Sequence, residues 1–376
     1  TGRRGKSQFL PFTGGAAPPI MKAALEFAKE LYRIKLPENL PRFDAVPREE
    51  ALRLLCAHEY GFPPAQPETV DFREVETDDT FCAGKAVLHR IEADVHQNGK
   101  TFTFPFYFVC PKSAQPAPAV VLINFTPAAP DPYLPSEELC DLGLAVASFG
   151  YTDVSPDNDD FVSGAGGLLG VDRSDPHAPG KIAIWAWAAR IVMDYVQTRP
   201  EVDLCNVAVA GHSRLGKTAL FAAALDERFR FAFANESGCA GAALFRGKTG
   251  ETAADICRVF PFWFCPDFQN YTETDDALPF DQHFLLSLIA PRRVYVASAA
   301  EDLWADPQSE LRACLAASPA FETQGCRGLQ MDREPLQPGD CLHAGDIGYH
   351  LRAGSHYLSR EDWQKFAAYM QKHKNA

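Results

Sequence analysis

The chain has 376 residues, long enough to bury a large core, and its 46% apolar and 23% charged composition is that of a globular protein. A formal charge of −13 with no block of Lys or Arg excludes nucleic acid as an expected partner, because phosphate binding needs a concentrated basic surface. No apolar run reaches the roughly eighteen residues of a membrane span, and TGRRGKSQF at the start lacks the apolar centre of a signal peptide. A trimmed leader would leave the same sequence, so the compartment stays open. Eleven cysteines, an odd number, fall largely inside apolar stretches such as the one ending at Cys110, which suits reduced, buried thiols; no CxxC or Cys/His cluster has zinc spacing, and neither a metal nor a cofactor is expected.

Residues 1–19 are expected to be a disordered tail, and 20–376 one domain. Over 20–60, MKAALEFAKELYRI and REEALRLLCAHEY place apolar residues at three- and four-residue intervals, which predicts a helical N-terminal segment broken by the proline-rich KLPENLPRFDAVP. From Val70 to Cys110 short alternating runs with NGK between two of them predict an antiparallel start with a hairpin. Beyond PKSAQPAP the pattern becomes doubly buried strands alternating with helices: AVVLINF, LGLAVASFGY, the helix IAIWAWAARIVMDYVQ, NVAVAG, a helix from about Leu215, FRFAFAN, RRVYVAS, the helix DPQSELRACLAA and a last helix REDWQKFAAYMQKH. This predicts an α/β fold of the α/β-hydrolase type, with a mostly parallel central sheet and helices on both faces. An irregular insertion at 237–280 and a loop at 326–356 are expected on one rim.

The string CNVAVAGHSRLGKTALFAAAL turns a buried strand sharply into a helix. Residues 211–218 match the letters of a nucleotide-binding P-loop, with Lys217 for phosphate and Thr218 for magnesium, but His212, Arg214 and Leu215 are too bulky for a loop that wraps phosphate with its backbone N–H groups. The other reading is a nucleophile elbow with Ser213 at its apex and Gly211 and Gly216 permitting close packing; a third makes Ser213 a helix cap. Hydrolases of this architecture supply nucleophile, acid and histidine in that order from the carboxyl ends of strands. Glu236 follows FRFAFAN, Glu301 and Asp302 follow RRVYVAS, and His356 in AGSH precedes the last helix, which prefers it over His343 and His350 as general base. Glu236 and Asp302 compete to orient the imidazole. No HGGG-like loop follows AVVLINF, so Arg214, beside the nucleophile, is the candidate oxyanion donor.

The strings GHSRLGKTA, NESGCAGAALFRGKTGET and EDLWADPQS, with the terminal histidine loop, resemble the glucuronoyl esterases of carbohydrate esterase family 15 over roughly residues 100–372. The resemblance implies metal-free serine hydrolysis of esters of 4-O-methyl-glucuronic acid in lignin–carbohydrate (glucuronoxylan) linkages. It implies Ser213 as nucleophile, His356 as base, and Arg214 at the oxyanion, with Lys217, Glu251 and Trp304 gripping the uronate ring. The triad acid in the family stands at the Glu236 position, at the Asp302 position or at both; this chain has both, and Glu236 ranks first by a small margin. His212 stands where the fungal members usually carry Cys. The alternative substrate on the same fold is acetyl-xylan or another small ester, and the chain is expected to act as a monomer.

Overall fold

The computed structural model describes residues 34–332 and 334–374, with the backbone alone for Asp275. The expected tail over 1–19 and most of the first expected helix lie outside these residues. The second predicted helix is present as α1 (Arg48–Leu55), continued by a wider turn over Cys56–Tyr60.

Three long strands follow, β1 (Thr69–Asp78), β2 (Ala86–Gln97) and β3 (Lys100–Pro111), paired antiparallel as predicted. The β2–β3 turn is closed by Asn98 and Gly99 at φ 52° and 70°, the two left-handed residues that a tight right-twisting hairpin requires. Along β3, Phe104, Phe106 and Phe108 point inward at 0%, 1% and 0% exposure. Each such buried ring contributes roughly 1.5–3 kcal/mol, and together they seat this edge on the core.

The alternating part comprises β4 (Ala117–Asn124), α2 (Ser136–Asp141), β5 (Ala145–Gly150), α3 (Tyr151–Val154), α4 (Gly164–Leu169), α5 (Lys181–Val196), β6 (Val202–His212), α6 (Arg214–Leu225) and β7 (Phe231–Asn235). After these come α7 (Ala253–Val259), α8 (His283–Ser287), β8 (Arg293–Ala299), α9 (Pro307–Glu322), β9 (Cys341–Leu342), β10 (Ile347–Arg352) and α10 (Arg360–His373). The sheet order is β1-β2-β3-β5-β4-β6-β7-β8-β10-β9, and the run from β5 to β10 is parallel throughout. Helix α5, almost wholly buried with Trp185 and Trp187, packs with α6 and α9 into the core on one face; α10 covers the other face with Trp363, Phe366 and Tyr369. This is the α/β-hydrolase fold.

Two expectations need correction. The loop expected over 326–356 contains β10, a full strand in parallel register with β8 from Ile347 to Arg352; its buried His350 and Arg352 break the apolar pattern and are tolerated because they are paired with Asp362. The insertion at 237–280 is less irregular than expected, since it carries α7, opened by a capping box between Thr252 and Asp255, and short 3₁₀ turns at Pro261–Trp263 and Pro266–Tyr271.

Candidate active site

The parallel strands deliver their carboxyl ends to one rim, where α/β folds build their sites. Strand β6 ends at His212 and α6 begins at Arg214, leaving Ser213 alone in the turn at φ 57°, ψ −126°. A non-glycine residue in this region carries about 1–3 kcal/mol of strain, and the packing around it explains why it is held. A side-chain carbon on Gly211 would stand 2.1 Å from the Leu215 carbonyl oxygen, and one on Gly216 would stand 3.0 Å from Ser237 Cβ. Both glycines therefore let the helix close back over the strand. Ser213 occupies the N-cap position without making a side-chain cap bond, so helix capping is not its use.

The P-loop reading is overturned by the same geometry. Lys217 is buried with its ammonium donating to the Ser237 carbonyl, and the Thr218 hydroxyl donates to the Arg214 carbonyl at 2.9 Å. Neither faces a cradle for phosphate.

The histidine side assembles from three strands. His356 Nδ1 lies 2.6 Å from Asp302 Oδ2 and 3.2 Å from Glu236 Oε2. Its ring centroid is 4.4 Å from that of His212, the residue before Ser213. With Nδ1 turned to the carboxylates, Nε2 is left for proton exchange, the tautomer a general base needs. Burial lowers the proton affinity of His356, but the hydrogen bonds and charges of Asp302 and Glu236 outweigh it and raise the pKa to about 9. The two acids differ. Burial pushes Asp302 up, yet its bond to His356 more than compensates and holds it below the ordinary carboxylate value; Glu236, more deeply buried, is held above it. The shorter bond to His356 comes from Asp302 rather than from Glu236, the acid ranked first from sequence. Glu236 is at φ 47° and accepts from the Tyr357 backbone N–H at 2.8 Å and from Arg352. Arg246 and Arg258 pair elsewhere, with Asp281 and Asp255. The following helix α9 is capped by Asp306, which accepts from the Ser309 N–H.

Arg214 is clamped beside the turn. Asp157 accepts from its guanidinium, from the Tyr151 hydroxyl at 2.9 Å and from the Trp263 indole at 2.6 Å, while Trp263 and Phe260 lie 4.5 and 5.2 Å from the guanidinium carbon. The β4 loop adds no obvious oxyanion donor, since the Phe125 N–H is taken by the Asn124 side chain at 2.9 Å. On the opposite side Trp304 is 58% exposed, which removes a core role. The Glu251 N–H donates to the Trp304 carbonyl at 2.9 Å, bringing these two expected ring contacts together. Lys217 lies deeper than expected; burial lowers its pKa while the nearby Glu251 charge opposes that fall. Among the described residues, side-chain ligand atoms of His212, Glu236 and His356 lie within 4.8 Å of one another, but Asn235, Arg352, Tyr357 and Asp302 already engage His212 Nδ1, both Glu236 oxygens and His356 Nδ1. Among those residues no helix is long and apolar enough to cross a membrane.

A family model described as glucuronyl esterase, fungi, matches residues 93–325, well over half of the chain. The chain belongs to the glucuronoyl esterase family. A carbohydrate esterase from an unknown prokaryotic organism is 44% identical over 194 residues, covering 52% of this chain and 44% of its own length. A 4-O-methyl-glucuronoyl methylesterase of Schizophyllum commune is 28% identical over 291 residues, covering 74% and 68%. The chain thus spans between 44% and 68% of the length of these curated relatives. Among solved structures, a glucuronoyl esterase from Solibacter usitatus superposes with a TM-score of 0.81 at 28% identity, covering 90% of this chain and 98% of the other. A CE15 esterase from a marine bacterial metagenome, described as promiscuous, gives 0.79 at 29%, covering 91% and 97%. The residues missed by sequence reasoning are Asp157, Tyr357 and Arg352. One of three aspartates in SPDNDD and an arginine at the end of an unrecognised strand carried no local signal.

Proposed function

We propose that this chain is a serine carboxylic-ester hydrolase acting on esters of (4-O-methyl-)D-glucuronic acid, as found in glucuronoxylan joined to lignin alcohols. The observation that carries this reading is His356 Nδ1 bonded to Asp302 at 2.6 Å beside the strained Ser213 turn. In this reading His356 Nε2 takes the Ser213 proton as Oγ attacks the uronoyl carbonyl. Arg214 and the positive end of α6 face the developing oxyanion, a contribution of about 3–4 kcal/mol for one good donor. The imidazolium then protonates the departing alcohol, and water enters by the same route in reverse to free the uronic acid from the acyl-enzyme. Asp302 keeps the tautomer and stabilises the imidazolium, with Glu236 as the second acid. Trp304, Glu251 and Lys217 form the side that receives the sugar ring, Lys217 on a modest movement of its buried ammonium. The chemistry is complete without a metal, and the layout that goes with it is one hydrolase domain that includes the 237–280 insertion and acts as a monomer.

The test is release of uronic acid from benzyl glucuronate by the purified protein, with Ser213→Ala expected to lower kcat by about 10⁶-fold. Activity retained by that variant would end the reading. Because one structural relative is described as promiscuous, acetyl and uronoyl esters should be compared at equal concentration; preference for acetyl esters would move the substrate to acetyl-xylan or another small ester while keeping the mechanism.

A further inference from the structure

The turn carrying His356 is built around a buried arginine. Arg352, 5% exposed at the end of β10, donates from Nη1 to the Ala353 carbonyl at 2.9 Å and from Nη2 to the carbonyls of Ser355 (2.9 Å) and Tyr357. These last two residues flank His356 on either side. The same Nη2 reaches Glu236, and Nε spans both oxygens of Asp362 at 3.1 and 3.0 Å. Gly354, at φ 96°, bends the chain around the guanidinium; a side-chain carbon there would stand 3.1 Å from Arg352 Nη1. Asp362 is anchored in turn by the α10 capping box with Ser359 and by His350 Nε2 at 2.7 Å. One planar cation therefore joins the histidine turn, the second acid and the first turn of the last helix. A buried cation needs such pairing to offset its desolvation, and only the guanidinium fork can serve so many acceptors in fixed directions.

We propose that Arg352 is the positioning residue for His356: it sets the ring's place through the carbonyls on both sides of it and tunes its proton affinity by offsetting the Glu236 charge. This rests on the esterase reading for the use made of His356. The groups facing that ring are Asp302 from the β8 rim, Glu236 from β7 and His212 from β6, with Arg352, Asp362 and Tyr133 behind them. Arg352 is the cation bonded directly to one of the two acids that hold Nδ1. It bonds Glu236 at Oε1, while Oε2 faces Nδ1 at 3.2 Å and also accepts from the Tyr357 N–H.

Two variants separate position from charge. Arg352→Lys keeps the charge and loses the fork; kcat on benzyl glucuronate should fall about 100-fold, the scale of a roughly 1 Å misplacement, with KM within about twofold. Arg352→Met keeps the bulk and loses the charge. Its His356 titration midpoint, read by NMR of the imidazole in the full chain, should rise by about one pH unit, while that of the Lys variant stays near the parent's. A merely structural arginine would lower the melting temperature without moving that midpoint. Either a folded Lys variant with parental kcat, or an unmoved midpoint in the Met variant, overturns the proposal; should the Met variant fail to fold, the Lys variant decides alone. Absence of hydrolysis by the parent protein would instead sink the esterase reading, and the titration would still judge Arg352.

Discussion

The two halves of the site are made by different physics. Ser213 is placed by backbone: a strand, a strained residue and a helix, closed by glycines at two points of close approach. His356 is placed by charge: a turn in which guanidinium, carboxylates and carbonyls are buried together, contributed by β7, β8, β10 and α10. The first arrangement is local in sequence and leaves no room for a side-chain carbon at Gly211 and only a tight fit for one at Gly216. The second is spread over more than a hundred residues of chain and depends on pairing every buried charge.

The largest effect that tests this contrast comes from the two acids. Asp302→Asn should lower kcat by about 10⁴-fold, because the amide stabilises the wrong tautomer, whereas Glu236→Gln should cost about 10–100-fold through the loosened turn. Steady-state kinetics on a uronoyl ester check this, and the reverse order would make Glu236 the principal acid. Next, Gly211→Ala should remove about 2–3 kcal/mol of stability by overpacking against the Leu215 carbonyl, read by chemical denaturation; an unchanged midpoint would mean that the elbow is not held by steric closure. Smaller still, Trp304→Ala touches neither half. It should raise KM about tenfold, the loss of roughly 1.4 kcal/mol of ring contact, with kcat within about twofold. A collapse of kcat would show Trp304 to be coupled to the Asp302 loop instead.

The same division decides how much could be read before the structure. The hairpin at Asn98–Gly99, the inward phenylalanines of β3 and the Gly211–Gly216 elbow are local patterns, and each was legible. The order of Ser213, acid and His356 was legible too, because the topology fixes it. Strand β10 was hidden because His350 and Arg352, buried within it, look like surface residues until Asp362 is brought beside them. The sequence could not show the contacts that distinguish the two acids: Arg352 bonds Glu236 at Oε1, and Asp302 makes the shorter bond to His356. Lys217 shares the helical face of Ser213 as its spacing implies, but spacing could not show that the Ser237 carbonyl draws its ammonium into the protein.

The last expected effect concerns one proton with two opposite consequences. His356 has its folded pKa raised from 6.5 to about 9 by Asp302 and Glu236, against the pull of burial. A raised pKa means that the folded protein binds the proton more tightly than the unfolded chain, so the stability it contributes is fully present below about 6.5 and is lost as pH rises through about 9. Catalysis needs the neutral ring, so kcat/KM should climb over the same interval. Comparing the melting temperature of the parent with that of His356→Gln between pH 6 and 10 on the measured scale isolates this residue from Glu59 and Glu310, whose burial raises their pKa values to about 8 and about 7 and which are common to both proteins. The parent's advantage should shrink as its activity rises; two curves moving in the same direction would mean that the proton governing stability here is not the one governing the reaction.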